Sequence, residues 1–237
     1  MGKIPLIYKC RISGIADLTH DTREYHLDIP AGASFSFFPG DHIKIYPDPA
    51  EPLEFRTYTP TNIPEIKDHF ELIIKAYPLG YVSKYMHGRK PGDEISISGP
   101  HFGGHWEDGL ADRAGMIAGG TGITPMISMI RSIIQKKLRV DISLLYANKT
   151  IDDIILKNEF DDLAASHANF KRYYVLDKAP ENWDMGNGFI NESMIRSNLS
   201  PPDPRNVIFV CGPPMMQLEI RRILVEIGHA KENIIFP

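Results

Sequence analysis

Three glycines at the end of a strand-like run have the spacing to bind a phosphate. Residues 116–130 read MIAGGTGITPMISMI, so an apolar run meets Gly119, Gly120 and Gly122, and a helix is expected to begin at or near Pro125. Glycine lets the backbone approach an anion closely, and the free N–H groups of a helix start attract it. The pattern is G-x-G-x-x-P, and the dinucleotide fingerprint ends in glycine. It indicates a nucleotide site, and a tight strand-to-helix turn is the alternative.

A second turn of this kind follows a later apolar run. Residues 209–217 read FVCGPPMMQ, so small residues again separate a strand from a helix that begins among prolines. In open α/β sheets, ligands bind in the crevice at the carboxyl ends of the strands. We therefore expect the two turns to lie on either side of one crevice, with Cys211 at the rim of this crevice. The alternative for Cys211 is a small apolar side chain that ends a buried strand.

The segment EFRTYTP, residues 54–60, brings an arginine, a tyrosine and a threonine close together. In an extended strand, Arg56 and Tyr58 point to the same face, and Thr59 points to the other face unless the strand bends. Pro60 cannot donate a ladder hydrogen bond, so it ends the run. Taken alone, the segment indicates an edge strand with a polar face.

The elements that must position these residues fall into two halves. Residues 1–100 contain six short strand-like runs and one short helical segment, YVSKYMHG, which predicts a small antiparallel β-barrel. From Arg113 onward, apolar runs alternate with amphipathic segments, which predicts a parallel sheet covered by helices. The glycine-rich residues 101–113 are the expected join. We therefore predict a β-barrel domain over residues 1–106 and an α/β domain over residues 107–237.

Composition and charge exclude several classes of protein. The net charge is −4, so no overall positive field favours nucleic acid. Cys10 and Cys211 are the only cysteines, whereas a cysteine-ligated iron–sulfur cluster needs about four. The first residues, MGKIPLIYKCRISG, contain no apolar run long enough for a signal peptide or a membrane span. We expect no metal site, no membrane span and a reducing, cytoplasmic compartment.

Taken in order, the motifs resemble the ferredoxin–NADP reductase superfamily, and within it the NADH–cytochrome b5 reductase family. The resemblance covers nearly the whole chain. HDTREYHLDIP and FPGDHIKIY are similar to the family's opening strands, FRTYTP to its flavin motif, GYVS to its glycine-x-x-serine turn, and GGTGITP to its nicotinamide-side loop. YVLDKAPENWDMGNGFINESMI and VCGPPMMQ match longer segments of the family. The resemblance implies a flavin-binding barrel domain followed by an NADH-binding α/β domain.

The resemblance also implies a role for individual barrel residues. Arg56 would pair with the flavin diphosphate, which suits a planar fork of donors. Tyr58 would lie against the flavin and hydrogen-bond its ribityl chain, and Thr59 would lie near the reactive flavin nitrogen. The other flavin-side positions belong to a strand beside the flavin ring, an aromatic beyond it and a turn before a short helix: Ile74, Lys75, Tyr77, Gly80, Tyr81, Val82 and Ser83.

The NADH side is implied in the same way. Asp177 and Phe189 match positions around the adenosine half of NADH. A carboxylate beside the ribose would favour NADH over NADPH, and the alternative for Asp177 is a strand-end aspartate that caps a turn. The positions near the nicotinamide are Gly120, Thr121, Thr124, Pro125, Cys211, Gly212 and Pro213. The implied catalytic positions are Thr59, Lys75, Thr121 and Cys211.

Two departures from the family pattern bear on the flavin. Only Pro78 and Leu79 separate Tyr77 from Gly80, where the eukaryotic reductases have a longer loop. Tyr81 and Val82 replace a lysine–methionine pair. Both changes fall where the adenylate part of FAD would bind, so FAD is the expected flavin and FMN the alternative.

The implied function is that of a flavin-dependent oxidoreductase. It would pass electrons from NADH through FAD to a one-electron acceptor protein such as cytochrome b5. A monomer is expected in the cytoplasm, or on the cytoplasmic face of a membrane if an anchor has been removed. The alternatives are an NADPH-dependent reductase, the reductase module of a larger nitrate reductase-like protein, an electron-transfer subunit with little activity alone, and a binding module without catalysis.

Overall fold

The computed structural model describes residues 6–29, 35–51 and 53–237. These residues form two six-stranded sheets, one antiparallel and one parallel. The predicted fold class, a β-barrel domain followed by an α/β domain, is confirmed. The parts of the predicted segments that fall on residues 1–5, 30–34 and 52, including Pro30 of HDTREYHLDIP, lie outside the described residues.

The first sheet has the strand order β4-β3-β6-β1-β2-β5. Its strands are β1 (Tyr8–Thr19), β2 (Thr22–Asp28), β3 (His42–Tyr46), β4 (Arg56–Tyr58), β5 (His69–Lys75) and β6 (Glu94–His101). A bridge between Pro60, just after β4, and Leu72 of β5 joins the two edges of this sheet, so the sheet closes into a barrel. The helix α1 (Tyr81–His87) follows β5. Alternate residues of the strands, such as Tyr25 and Leu27 of β2, fill the barrel core.

The second sheet is parallel throughout, with the order β10-β9-β8-β7-β11-β12. Its strands are β7 (Arg113–Gly119), β8 (Asp141–Asn148), β9 (Phe170–Leu176), β10 (Gly186–Asn187), β11 (Asn206–Cys211) and β12 (Ile234–Ile235). Four helices cover it: α2 (Thr124–Gln135), α3 (Lys157–Ser166), α4 (Glu192–Asn198) and α5 (Pro214–Glu226). Short 3₁₀ turns occupy residues Gly120–Ile123, Ile151–Asp153 and Lys231–Asn233.

Both faces of the parallel sheet are buried, because successive side chains point to opposite faces. On β7, Met116 packs in the cluster that holds Met126 of α2 and Phe160 of α3. Its neighbour Ile117 packs in the cluster that holds Ile195 of α4 and Ile220 of α5. The near-continuous apolar runs in the sequence follow from this two-sided burial.

The chain order of the parallel sheet reverses beside β7. The strands β8 to β10 extend to one side of it, and β11 and β12 lie on the other side. Cys211 at the end of β11 is in register with Ala118 near the end of β7, so the two glycine turns follow neighbouring strands. Such a reversal is the usual ligand position in an open α/β sheet.

The segment between the two sheets, residues 102–112, contains no helix or strand. Trp106 connects the halves: its backbone N–H donates to the carbonyl of Pro39 at 2.8 Å, and its buried ring centroid lies 6.5 Å from that of Phe209 on β11. Within the described residues, no helix is both long and apolar enough to cross a membrane.

Candidate functional site

A cleft of about 1200 Å³ opens between the barrel and the carboxyl ends of the parallel strands. Both sheets contribute to its wall, and the two glycine turns lie on its parallel-sheet side. Eighteen of the nineteen predicted site residues line it: Arg56, Tyr58, Thr59, Lys75, Tyr77, Gly80, Tyr81, Val82, Ser83, Gly120, Thr121, Thr124, Pro125, Asp177, Phe189, Cys211, Gly212 and Pro213.

Ile74 is the one predicted site residue whose side chain lies elsewhere. It is buried in the core of the barrel, and its neighbour Ile73 lines the cleft instead. Successive residues of β5 point to opposite faces, so Lys75 returns to the cleft side with Ile73. The segment match located the correct strand, but it did not distinguish its two faces.

The residues of FRTYTP face the cleft along and just beyond β4. Arg56 is exposed, and its Nη1 donates to the carbonyl of Phe55 at 2.7 Å. Burial raises the pKa of Tyr58 to about 12, so the phenol is a neutral hydrogen-bond donor at physiological pH. Thr59 lines the cleft beside Tyr58 because β4 ends at Tyr58, and strict alternation no longer applies beyond the strand.

The turn between β5 and α1 is held by one hydroxyl. Ser83 Oγ donates to the carbonyl of Gly80 at 3.1 Å and accepts from the backbone N–H of Tyr77 at 3.2 Å. A side chain at Gly80 would collide with this hydroxyl. No side chain caps the start of α1, so its first N–H groups can bond to an anion in the cleft.

The turn GGTGITP differs in one respect from the sequence prediction. A 3₁₀ turn over Gly120–Ile123 precedes α2, which begins at Thr124. Gly120 has φ +53°, in the left-handed region that favours glycine, and no atom lies within 4 Å of where its Cβ would be. A side chain at Gly122 would collide with the carbonyl of Cys211. The two turns can therefore lie this close together only because residue 122 is glycine.

Two contacts join the domains across the cleft. Tyr77 Oη lies 2.9 Å from Thr121 Oγ1. Lys75 Nζ lies 2.9 Å from Asp21 Oδ2 and 3.0 Å from Asp153 Oδ1. Asp21 is in the turn between β1 and β2, and Asp153 follows β8, so Lys75 bonds to both domains at once.

The ion pairs of Lys75 fix its charge. Burial lowers the pKa of Lys75, but hydrogen bonds to Asp21 and Asp153 outweigh it and raise the pKa overall. Burial raises the pKa of Asp153, but hydrogen bonds from Thr150 and Lys75 bring it below its usual value. The sequence identified Lys75 without either partner, because both carboxylates are distant in the chain.

Cys211 lies at the rim of the cleft, half-buried between the two glycine turns. Burial raises the pKa of its thiol to about 11, so the sulfur is uncharged at neutral pH. A thiol reacts as a nucleophile only as the thiolate. The uncharged Cys211 thiol is therefore better suited to position a ligand by contact than to act as a nucleophile.

Asp177 follows the end of β9, as the sequence predicts. Its backbone N–H donates to the carbonyl of Asn148 at 3.0 Å, and its side chain is exposed. Phe189 lies on the same wall with 82% of its surface exposed. An exposed aromatic ring beside a carboxylate offers a stacking surface and a hydrogen-bond acceptor.

Three features of the cleft leave groups free for a ligand. Arg56 bonds to the carbonyl of Phe55 and forms no ion pair within the described part of the chain, so its guanidinium can bind phosphate. Asn148 is 6% exposed and lines the cleft, and neither amide atom has a partner among the described residues. Gly120 leaves open space for a close approach to the backbone. Buried polar groups in native proteins are normally bonded, so the amide of Asn148 is suited to bond to a ligand in the cleft.

Several cleft residues were not identified from the sequence: His42, Thr57, Ile73, Asn148, Lys149, Asp153, Met215, Met216 and Pro237. Asn148 and Lys149 lie at the carboxyl end of β8, which is where parallel sheets bind ligands, so the strand prediction alone could have indicated them. The others have no local pattern that marks them.

Comparisons with known proteins identify the two domains. Residues 9–107 match the model of the oxidoreductase FAD-binding domain, and residues 116–222 match that of the oxidoreductase NAD-binding domain. The NADH-cytochrome b5 reductase 1 of Dictyostelium discoideum is 36% identical over 219 residues, which cover 92% of this chain and 77% of that protein. The NADH-cytochrome b5 reductase 1 of Debaryomyces hansenii is 36% identical over 232 residues, covering 97% and 80%.

The chain belongs to the NADH-cytochrome b5 reductase family. It is a flavin-dependent oxidoreductase with FAD- and NAD-binding domains. Among solved structures, the cytochrome b5 reductase domain of Ulva prolifera nitrate reductase aligns with a TM-score of 0.88 and 26% identity, over 98% of this chain and 97% of that one. The CS-b5R domains of human Ncb5or share the fold, with a TM-score of 0.86 and 23% identity over 98% and 69%.

Proposed function

We propose that this protein passes electrons from NADH through FAD to cytochrome b5 or a similar one-electron haem protein. The observation that carries the proposal is a single cleft lined both by the flavin motif of the barrel and by the two glycine turns of the parallel sheet. When bound, FAD accepts a hydride from NADH and releases the electrons one at a time. The names of the relatives given above support cytochrome b5 as the acceptor.

The proposed flavin contacts come from the barrel. Arg56 binds the diphosphate with its exposed guanidinium, and the uncapped start of α1 adds backbone N–H donors. Tyr58 would donate its neutral hydroxyl to the flavin, and Thr59, the next residue of the cleft wall, would offer a second hydroxyl. These groups hold the flavin in place before NADH binds, so the reaction needs little reorganisation.

The proposed NADH contacts come from the parallel sheet. Thr121 and Cys211 position the nicotinamide between the two glycine turns. Asp177 accepts hydrogen bonds from the ribose of the adenosine half, and Phe189 provides a surface beside it. Lys75, held in its charged form by Asp21 and Asp153, supplies positive charge at the junction of the two domains.

We also propose the boundary between the two domains at residues 106 and 107. The matches to the two domain families end at residue 107 and begin at residue 116, which supports this position. A cytoplasmic location and a monomeric state complete the proposal.

The test is an acceptor panel under steady-state conditions. The purified FAD-loaded protein is mixed with NADH and with cytochrome b5, cytochrome c, a ferredoxin or nitrate, each in turn. We expect cytochrome b5 to give the highest kcat/KM. A ferredoxin that exceeds it, or NADH oxidation by oxygen alone, contradicts the proposed acceptor.

A second candidate is the reductase module of a nitrate reductase-like system. The alignment with the reductase domain of Ulva prolifera nitrate reductase favours it. This candidate predicts faster reduction of the haem domain of such an enzyme than of free cytochrome b5. The same assay with both haem proteins at equal concentration separates the two candidates.

A further inference from the structure

Two histidines and two glutamates share the face of the barrel sheet that also carries Ile73 and Lys75, but none of the four lines the cleft. Glu24 and His26 lie on β2, and His69 and Glu71 lie on β5. The two strands are antiparallel neighbours, and His26 stands directly opposite Glu71. Residues opposite each other, and those two positions further along a strand, point to the same side of a sheet. The four side chains are therefore neighbours although β2 and β5 are far apart in sequence.

The potential ligand atoms of His26, His69 and Glu71 all lie within 4.8 Å of one another. His69 Nε2 is 3.7 Å from Glu71 Oε1, and His26 Nε2 is 3.5 Å from Glu24 Oε2. The planes of the two imidazole rings are inclined at 30°, with centroids 5.7 Å apart. Imidazole nitrogens and carboxylate oxygens are the donors that Zn²⁺ takes in mixed sites.

Other groups already orient two of these ligands. His69 Nδ1 lies 2.9 Å from Asp68 Oδ1, which directs the ring and leaves Nε2 toward Glu71. Arg131 of α2 donates to Glu71 Oε2 at 3.3 Å and leaves Oε1 toward His69. A carboxylate bonded to the second nitrogen of a histidine is the usual support of a metal-binding imidazole.

The charges of the cluster favour a cation. The side chains of Glu24 and Glu71 are only 17% and 16% exposed. In the described part of the chain, Arg131 is the one arginine or lysine that pairs with either glutamate, and it pairs with Glu71. Arg131 also forms a bidentate salt bridge with Glu159. A divalent ion would balance the charge of these two carboxylates, of which only Glu71 contacts an arginine.

We propose that His26, His69 and Glu71 bind one divalent transition-metal ion of the Zn²⁺ class, with Glu24 or water as the fourth ligand. Tetrahedral bonds of about 2 Å require ligand atoms roughly 3.3 Å apart, so the side chains must close by up to about 1.5 Å. Rotation about the side-chain bonds of these partly exposed residues permits this. The proposal is independent of the NADH-dependent activity.

Two other groups of histidine and acidic residues are less suited to bind a metal ion. His20, Asp21 and Asp153 also lie within ligand distance, but Lys75 already contacts both carboxylates, and Thr150 also bonds to Asp153. His101 and His105 stand four residues apart in the sequence HFGGH, which is a spacing found in metal-binding histidine pairs and which speaks against the expectation of no metal site. His105 bonds to Asp41 and Glu107, so its two nitrogens are committed.

The test is a Zn²⁺ titration of the metal-free, flavin-loaded protein, followed by competition with a chromophoric chelator. We expect one equivalent of Zn²⁺ to bind with micromolar or tighter affinity. His26→Gln and His69→Gln should each weaken binding at least tenfold, and Asp68→Asn, an exposed change that leaves the ligands in place, should weaken it about tenfold. His20→Gln and His167→Gln are the controls and should bind as the parent does.

A second measurement guards against unfolding of the ligand variants. Zn²⁺ should raise the melting temperature of the parent, a chelator should reverse the rise, and the double variant His26→Gln/His69→Gln should show no rise while retaining its flavin. Equal Zn²⁺ affinity in the parent and the double variant, loss of binding in His20→Gln instead, or no micromolar binding by the parent would each overturn the proposal.

Discussion

Lys75 of the barrel and Asp153 of the α/β domain form an ion pair beside the cleft, with Nζ 3.0 Å from Oδ1. The side chains are 18% and 11% exposed, and Asp21 makes a second pair with the same lysine. The contact joins the two halves of the cleft at one point. Together with the contact between Tyr77 and Thr121, it helps to fix the two walls of the cleft relative to each other.

We predict that Asp153→Asn lowers the free energy of unfolding by about 1–2 kcal/mol, because a charge-assisted bond to a half-buried lysine is lost while Asp21 retains the other. Urea unfolding followed by flavin and tryptophan fluorescence measures this. Asp152→Asn, at an exposed neighbouring position, is the matched control and should change stability little. Equal stability of the two variants would show that the pair does not hold the domains together.

The same pair gives a pH dependence of defined sign. The pKa of Asp153 is lower in the folded protein than its usual value, so its contribution is fully present above the unfolded pKa, about 3.9. It is lost as pH falls through the folded pKa. The stability difference between parent and Asp153→Asn should therefore be constant near neutrality and shrink in acid below about pH 4. A difference that grows in acid would contradict this assignment.

Arg56→Ala should weaken FAD retention by about 10- to 100-fold, because a charge-assisted contact to phosphate is lost. Arg56→Lys keeps the charge without the planar fork of donors. Its FAD retention should lie between that of the parent and that of Arg56→Ala. Arg11→Ala, an exposed change on β1 away from the cleft, is the control. The flavin released on dilution measures retention, and unchanged retention in Arg56→Ala would remove Arg56 from the phosphate site.

Cys211→Ala should slow flavin reduction by NADH about tenfold and leave flavin content unchanged, because a positioning residue acts through geometry. Anaerobic single-turnover mixing measures the rate. Since the thiol pKa is raised to about 11, the rate should show no step from Cys211 between pH 6 and pH 9. Cys10→Ala removes the other thiol, inside the barrel core, and is the control. A rate equal to that of the parent would leave Cys211 as a packing residue.

Asp177→Thr should relieve most of the preference for NADH over NADPH. A 2′-phosphate of charge near −2 at roughly 5 Å from a carboxylate, with an effective dielectric of about 20, costs on the order of 3 kcal/mol per like-charge pair before screening. Half of that energy still exceeds the roughly 1.4 kcal/mol that corresponds to a tenfold difference in binding affinity. Asp184→Thr removes an exposed carboxylate outside the cleft and should leave the ratio unchanged. The measurement is kcat/KM for both nucleotides.

Much of this architecture could be predicted because it depends on local pattern. Alternation along β2 and the two-sided burial of β7 are visible in the sequence, and so are the glycines of both turns. The face of Ile74 was missed because a segment match does not distinguish adjacent residues of a strand. The 3₁₀ turn at Gly120–Ile123 was missed because its glycines allow several turn geometries.

Partners that meet only in the folded chain could not be predicted. Asp153 reaches Lys75, and Arg131 reaches Glu71, through the packing of one domain on the other. His26 and His69 are brought together by the pairing of β2 with β5. None of these pairs has a short, characteristic spacing in the sequence.

The most direct test of the central claim is the stoichiometry of electron transfer in the absence of oxygen. The FAD-loaded protein is mixed with a limiting amount of NADH and an excess of ferric cytochrome b5, and the absorbance of the flavin and of the haem is followed. We expect rapid bleaching of the flavin followed by reduction of two cytochrome b5 molecules for each NADH consumed. A flavin that NADH does not bleach, or NADH consumption without haem reduction, would contradict it.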